Sequence, residues 1–84
     1  VGSTVLVNDQ HVGDGYGIPT QAGLDAIRLL GSTEGIVLDP VYTGKAFAGL
    51  LESARQKQCP DQSVVVFVHT GGAPGLYAYA DALA

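Results

Sequence analysis

Eighty-four residues make one small domain, or a piece of a larger one. A chain that is 46% hydrophobic and 14% charged is too apolar for a disordered tail and too weakly charged for a coiled coil. Four basic against eight acidic residues give a net charge of −4, which excludes the basic face a nucleic-acid binder needs.

The longest apolar run, Val64-Val65-Val66-Phe67-Val68, has the length of a strand and falls well short of the about 20 residues of a membrane span. A single cysteine, Cys59, excludes an internal disulfide framework and a cysteine-based zinc site, and it fits a reducing, cytoplasmic compartment. No basic stretch followed by an apolar one marks a secretory leader after Val1. The chain contains no Met, and at this length it buries only about 60–65% of its unfolded surface. Both features lead to the expectation of a processed or truncated segment.

In chain order, residues 3–9 read as a short strand ending in turn formers. His11 to Pro19 is a loop, because Gly13, Asp14, Gly15 and Gly17 are turn residues. Thr20 is a candidate N-cap, and Leu24, Ala26, Ile27 and Leu30 repeat at helical spacing as far as Gly31. Ile36-Val37-Leu38 is a second short strand, stopped at Asp39 because the residue before a proline is pushed away from helical angles. A second helix is predicted from Thr43 to Gln58, with Phe47, Leu50, Leu51 and Ala54 as its apolar stripe. Val64–Val68 is the third strand, unbroken by polar alternation and therefore expected to be covered on both faces. Thr70-Gly71-Gly72 then leads into a last helix containing Leu76, Tyr77 and Tyr79. Strands alternating with helices in this way predict an α/β fold with a parallel or mostly parallel sheet.

Three stretches carry chemistry, and each also has a plainly structural reading. His69-Thr70-Gly71-Gly72-Ala73-Pro74-Gly75 runs from a strand end into a Gly-rich turn and a helix. Such a turn lets backbone N–H groups approach an electron-rich ligand, or it simply connects strand to helix tightly. It matches neither the G-x-G-x-x-G spacing nor a P-loop. Asp39-Pro40-Val41-Tyr42-Thr43-Gly44-Lys45 presents Tyr42 and Thr43 at a helix mouth, or holds a capping Thr beside a packing aromatic. Lys45 has the chemistry of an imine-forming lysine, but its place in an amphipathic helix favours a solvated or structural role. In Gly15-Tyr16-Gly17-Ile18-Pro19 the tyrosine is flanked by glycines, which suits a presented hydroxyl better than a core ring. His11 and His69 are too few for a metal site, and His69 is expected to order its turn.

Taken together and in this order, Gly15–Thr20, Glu34–Ala46 and His69–Leu76 resemble the D-cysteine desulfhydrase and 1-aminocyclopropane-1-carboxylate deaminase family. The likeness runs from about Thr4 to Tyr79 and includes Leu24–Leu30. It implies a pyridoxal-phosphate enzyme of the tryptophan-synthase-β-like fold, fold type II, and homodimeric at full length. Residues 1–84 then stand for the C-terminal portion of its catalytic domain. By the same resemblance Tyr16 and Tyr42 match the two active-site tyrosines, and Thr43, Thr70 and Gly71 fall where the cofactor is held. Deaminases carry Tyr-Glu-Gly-Lys and His-Leu-Gly-Gly at these two places, whereas this chain has Thr43 and Thr70 and so reads as desulfhydrase-like. A neutral hydroxyl beside the pyridine nitrogen leaves the ring unprotonated, a milder electron sink that suits loss of an α-proton and of sulfide. The implied reaction is β-elimination on D-cysteine, a small amino acid, giving pyruvate, sulfide and ammonia. The alternatives are a cyclopropane deaminase, a cysteate sulfo-lyase, or a truncated domain without activity. The family's cofactor-binding lysine and the Ser/Asn turn beside it belong to an N-terminal portion that these residues do not match, so the chain by itself is expected to be inactive.

Overall fold

A computed structural model describes residues 5–83; Ser3 and Thr4 of the expected first strand lie outside the described residues. Among the described residues four helices form: α1, Gln21–Glu34; α2, Thr43–Arg55; α3, Ala73–Tyr77; and α4, Ala80–Leu83. Thr20 caps α1 as its sequence predicts, with extended backbone and a hydroxyl accepting from the Gly23 amide at 3.0 Å. The helix runs three residues beyond Gly31. It ends where Gly35 turns left-handed at φ 67° and returns its amide to the Gly31 carbonyl. Conversely, α2 stops at Arg55 rather than Gln58, because Lys57 takes a left-handed φ of 57° and the Gln58 amide closes back onto Ser53.

The two long helices pack on each other through Ala26 and Ile27 of α1 and Ala48 of α2, with Leu38 buried between segments. Gly44 permits the close approach. A Cβ there would stand 2.6 Å from the Asp39 carbonyl oxygen and 3.1 Å from the Ile27 side chain. The last predicted helix is split into α3 and α4 by a turn at residues 78–79, where Tyr79 swings out to meet a distant loop.

The parallel sheet is the main correction. Among the described residues no strand forms: residues 5–9, 36–38 and 64–68 are irregular segments without ladder partners. A strand exists only by pairing its backbone N–H and C=O groups, and these segments do not pair with one another. Apart from the buried Leu38, most of their apolar side chains are left in solvent, Val64 at 92% and Val66 at 80% exposure. Phe67 packs edge-on against Phe47 of α2, ring centres 5.2 Å apart. Among the described residues no helix is long and apolar enough to cross a membrane, and no group of three or more His, Cys, Asp or Glu is placed to hold a metal ion.

Candidate functional site

The N-terminus of α2 is organised by a carboxylate four residues upstream. Asp39, 1% exposed, accepts from the amides of Val41 and Tyr42 at 2.8 Å each and of Thr43 at 3.1 Å. It also accepts from the Thr43 hydroxyl at 2.7 Å. The Asp39 amide in turn donates to Thr43 Oγ1 at 2.9 Å. A carboxylate on the first amides of a helix satisfies donors that would otherwise be orphaned and meets the positive end of the helix dipole. Burial pushes the Asp39 carboxyl up, but donation from the Thr43 hydroxyl and from the Tyr42, Thr43 and Val41 amides outweighs it and holds the group below its ordinary value. Thr43 is thus buried, with its hydroxyl turned to Asp39. Asp39 is the residue that sequence reasoning missed. Its signal was present as an Asp-Pro turn followed by Thr at the fourth position.

Fixing this turn presents Tyr42 outward. Its hydroxyl meets that of Tyr16, 26 positions away, at 2.5 Å, with ring centres 5.8 Å apart and edge-on. The bond to Tyr16, partial desolvation and the nearby Tyr16 and Asp39 charges raise the Tyr42 pKa. Both rings line a cavity of about 330 Å³, together with Asn8, His11, Val12, Val41, Lys45 and Ala46. Lys45 is not solvated. It is 7% exposed, and its Nζ donates to the Val12 carbonyl at 2.7 Å and the Gly15 carbonyl at 3.2 Å. On the far side of Tyr16, the Tyr79 hydroxyl donates to the Gly17 carbonyl at 2.6 Å. Nothing in the sequence signals this contact, which spans 62 positions.

The glycine turn sits against the same centre. Gly72 adopts φ 97°, and a Cβ there would collide with the Asp39 carboxylate. His69 orders the turn: Nε2 bonds the Val37 carbonyl at 2.7 Å, and Nδ1 accepts from the Gly71 amide at 3.1 Å. Those partners select the neutral tautomer with its proton on Nε2. Thr70 and Gly71 are exposed, and neither lines the tyrosine cavity. The structure therefore brings Tyr16 and Tyr42 together, places Thr43 behind them on Asp39, and leaves Thr70 beside an open turn.

A family profile described as pyridoxal-phosphate dependent enzyme matches residues 3–71. D-cysteine desulfhydrases of Salmonella newport (strain SL254), Salmonella heidelberg (strain SL476) and Salmonella schwarzengrund (strain CVM19633) are each 54% identical over 71 residues. Each match covers 84% of this chain but 22% of the relative, so the chain spans about a fifth of the length of these curated proteins.

The donor set fits one wall of a pyridoxal-phosphate site. Nothing lies within 4 Å of where a Gly71 Cβ would stand, so a flat ring can approach that turn, with the exposed Thr70 hydroxyl beside it. The covalent anchor is a different matter. Of the two lysines, Lys45 spends its ammonium on two backbone carbonyls, and Lys57 is exposed beyond the end of α2. Mixing the chain with pyridoxal phosphate and reducing with borohydride is accordingly expected to leave no stoichiometric adduct on Lys45. Peptide mass mapping that finds one would overturn the structural assignment of this lysine.

Proposed function

Because the chain belongs to the pyridoxal-phosphate dependent enzyme family, of fold type II, we propose that it is the C-terminal part of a lyase that eliminates sulfide from D-cysteine. The observation that carries the reading is the 54% identity over 71 residues to proteins named D-cysteine desulfhydrase. D-Cysteine and one water become pyruvate, hydrogen sulfide and ammonia, which balances in every atom. Pyridoxal phosphate, when bound, supplies the electron-withdrawing ring that acidifies the substrate Cα–H and lets the β-sulfur leave.

This chain's residues do the rest of what one wall can do. Tyr16 and Tyr42 are joined by a hydrogen bond between their hydroxyls at the cavity, and either can donate to a substrate carboxylate or to the departing sulfur. Asp39 and Thr43 fix the backbone that presents Tyr42, and Thr70 offers a neutral hydroxyl to the ring edge. In the whole enzyme residues 5–9, 36–38 and 64–68 are proposed to enter a parallel sheet, which would cover the valines now in solvent. A homodimer and a cytoplasmic location complete the reading.

The test is a full-length enzyme carrying this segment, assayed for sulfide and pyruvate from D-cysteine and for ammonia from 1-aminocyclopropane-1-carboxylate. kcat/KM is expected to favour D-cysteine by at least about 10²-fold, some 2.7 kcal/mol of transition-state discrimination. A ratio near one or reversed would transfer the assignment to the deaminases. Exchanging Thr43→Glu to imitate a deaminase is expected to weaken the fold as well, since it sets a second carboxylate against buried Asp39.

A further inference from the structure

Tyr16 stands between two long-range backbone tethers. The residue before it, Gly15, has its carbonyl held by the Lys45 ammonium, which also grips Val12; the residue after it, Gly17, has its carbonyl held by the Tyr79 hydroxyl. The intervening loop has glycines at 13, 15 and 17, of which Gly13 and Gly17 sit at φ 78° and 74°. Left to itself, such a segment pays more conformational entropy to order than any other kind of loop. A buried ammonium is expensive unless its donors are used, and both partners here are carbonyls of this loop.

We propose that Lys45 and Tyr79 are positioning residues that clamp the chain on either side of Tyr16 and so hold its hydroxyl against Tyr42. Both act on backbone carbonyls of the loop: the Lys45 ammonium donates to Val12 and Gly15 from the edge of the cavity, and Tyr79 is not among the cavity-lining residues. The clamp explains why a lysine is buried in the first turn of α2 and why the last helix breaks at residues 78–79. Its consequence for catalysis rests on the proposed lyase reading, whereas its consequence for Tyr16 geometry does not.

The experiment uses the full-length enzyme with Lys45→Met, Tyr79→Phe and Tyr16→Phe, singly and with each clamp change combined with Tyr16→Phe. Misplacing a reacting group by about 1 Å can cost up to about 10²-fold. Each clamp variant is therefore expected to lower kcat about 10- to 10²-fold, and to lower it little further once the Tyr16 hydroxyl is gone. In parallel, ring-labelled tyrosine NMR follows the Tyr16 resonance, assigned by its loss in Tyr16→Phe. The clamp variants are expected to shift or broaden it. Should D-cysteine prove not to be a substrate while the resonance still moves, the clamp stands and the lyase reading falls. A Tyr16 resonance unchanged in the clamp variants, or equal losses of kcat with and without the Tyr16 hydroxyl, overturns the proposal. Tyr79→Phe removes a single oxygen, so it decides the question even where Lys45→Met does not fold.

Discussion

Asp39→Ala is expected to destabilise the α2 entry by about 3–4 kcal/mol. The change removes one acceptor from four donors. Losing a helix cap costs about 0.5–2 kcal/mol, and leaving buried donors unsatisfied costs about 1–3 kcal/mol more. Two measurements on the full-length protein check it: the urea midpoint, and hydrogen exchange at the Val41, Tyr42 and Thr43 amides. Unchanged protection at these three amides would show that the carboxylate does not hold the helix entry. Asn at this position keeps an oxygen but turns amide hydrogens toward donors, so its loss is expected to be intermediate. The acid response follows from the sign of the shift. The folded Asp39 carboxyl lies below its ordinary value near 3.8, so its contribution is fully present above that value and disappears as pH falls through the lowered folded value. Asp39→Asn is therefore expected to flatten the acid limb of the stability curve while leaving its slope near neutrality unchanged.

The helices were legible because their signals are local. Thr20 stands before a run of helical spacing, and an amphipathic stripe follows Thr43. The boundaries were less so. Gly31 reads as a stop, yet the Ser32 and Thr33 hydroxyls return to the Leu29 carbonyl and the helix continues to a better left-handed residue, Gly35. The strands failed for a different reason. Val64–Val68 has strong strand propensity, but propensity describes how a segment fits a sheet, and the neighbours that would make one are not formed by these residues. At the site, Tyr16 and Tyr42 could be singled out because each stands among turn residues. That they meet is a tertiary fact, as is the reach of Tyr79 to Gly17. For Lys45 the sequence leaves a solvated and a structural role open, and the structure takes the structural one: a residue off the apolar stripe is covered by a loop from elsewhere, which helical periodicity does not register.

Loss of the Tyr42 hydroxyl is expected to have the largest effect on catalysis. In the full-length lyase, Tyr42→Phe should lower kcat/KM for D-cysteine by about 10²–10⁴-fold, the range for a positioned proton donor or acceptor. Tyr16→Phe should cost less, about 10–10²-fold, because Tyr42 is held by Asp39 through its own backbone amide and keeps its place without its partner. The pH profile separates the two roles. The Tyr16 hydrogen bond is the first cause of the raised Tyr42 pKa, followed by desolvation and by the charges of Tyr16 and Asp39. Removing the Tyr16 hydroxyl lets the Tyr42 value fall back toward its ordinary 10.0, so Tyr42 gives up its proton at lower pH. The alkaline limb of kcat/KM is then expected to move to lower pH in Tyr16→Phe. In Tyr42→Phe the same limb loses its dependence on this group. The double variant should resemble Tyr42→Phe alone, since the Tyr16 hydroxyl acts here through its bond to the Tyr42 hydroxyl and has nothing to tune once that group is gone. An alkaline limb identical in parent and Tyr16→Phe would mean that the bond between the two hydroxyls does not set the ionisation that matters, and Tyr42 would then act by position rather than by proton transfer.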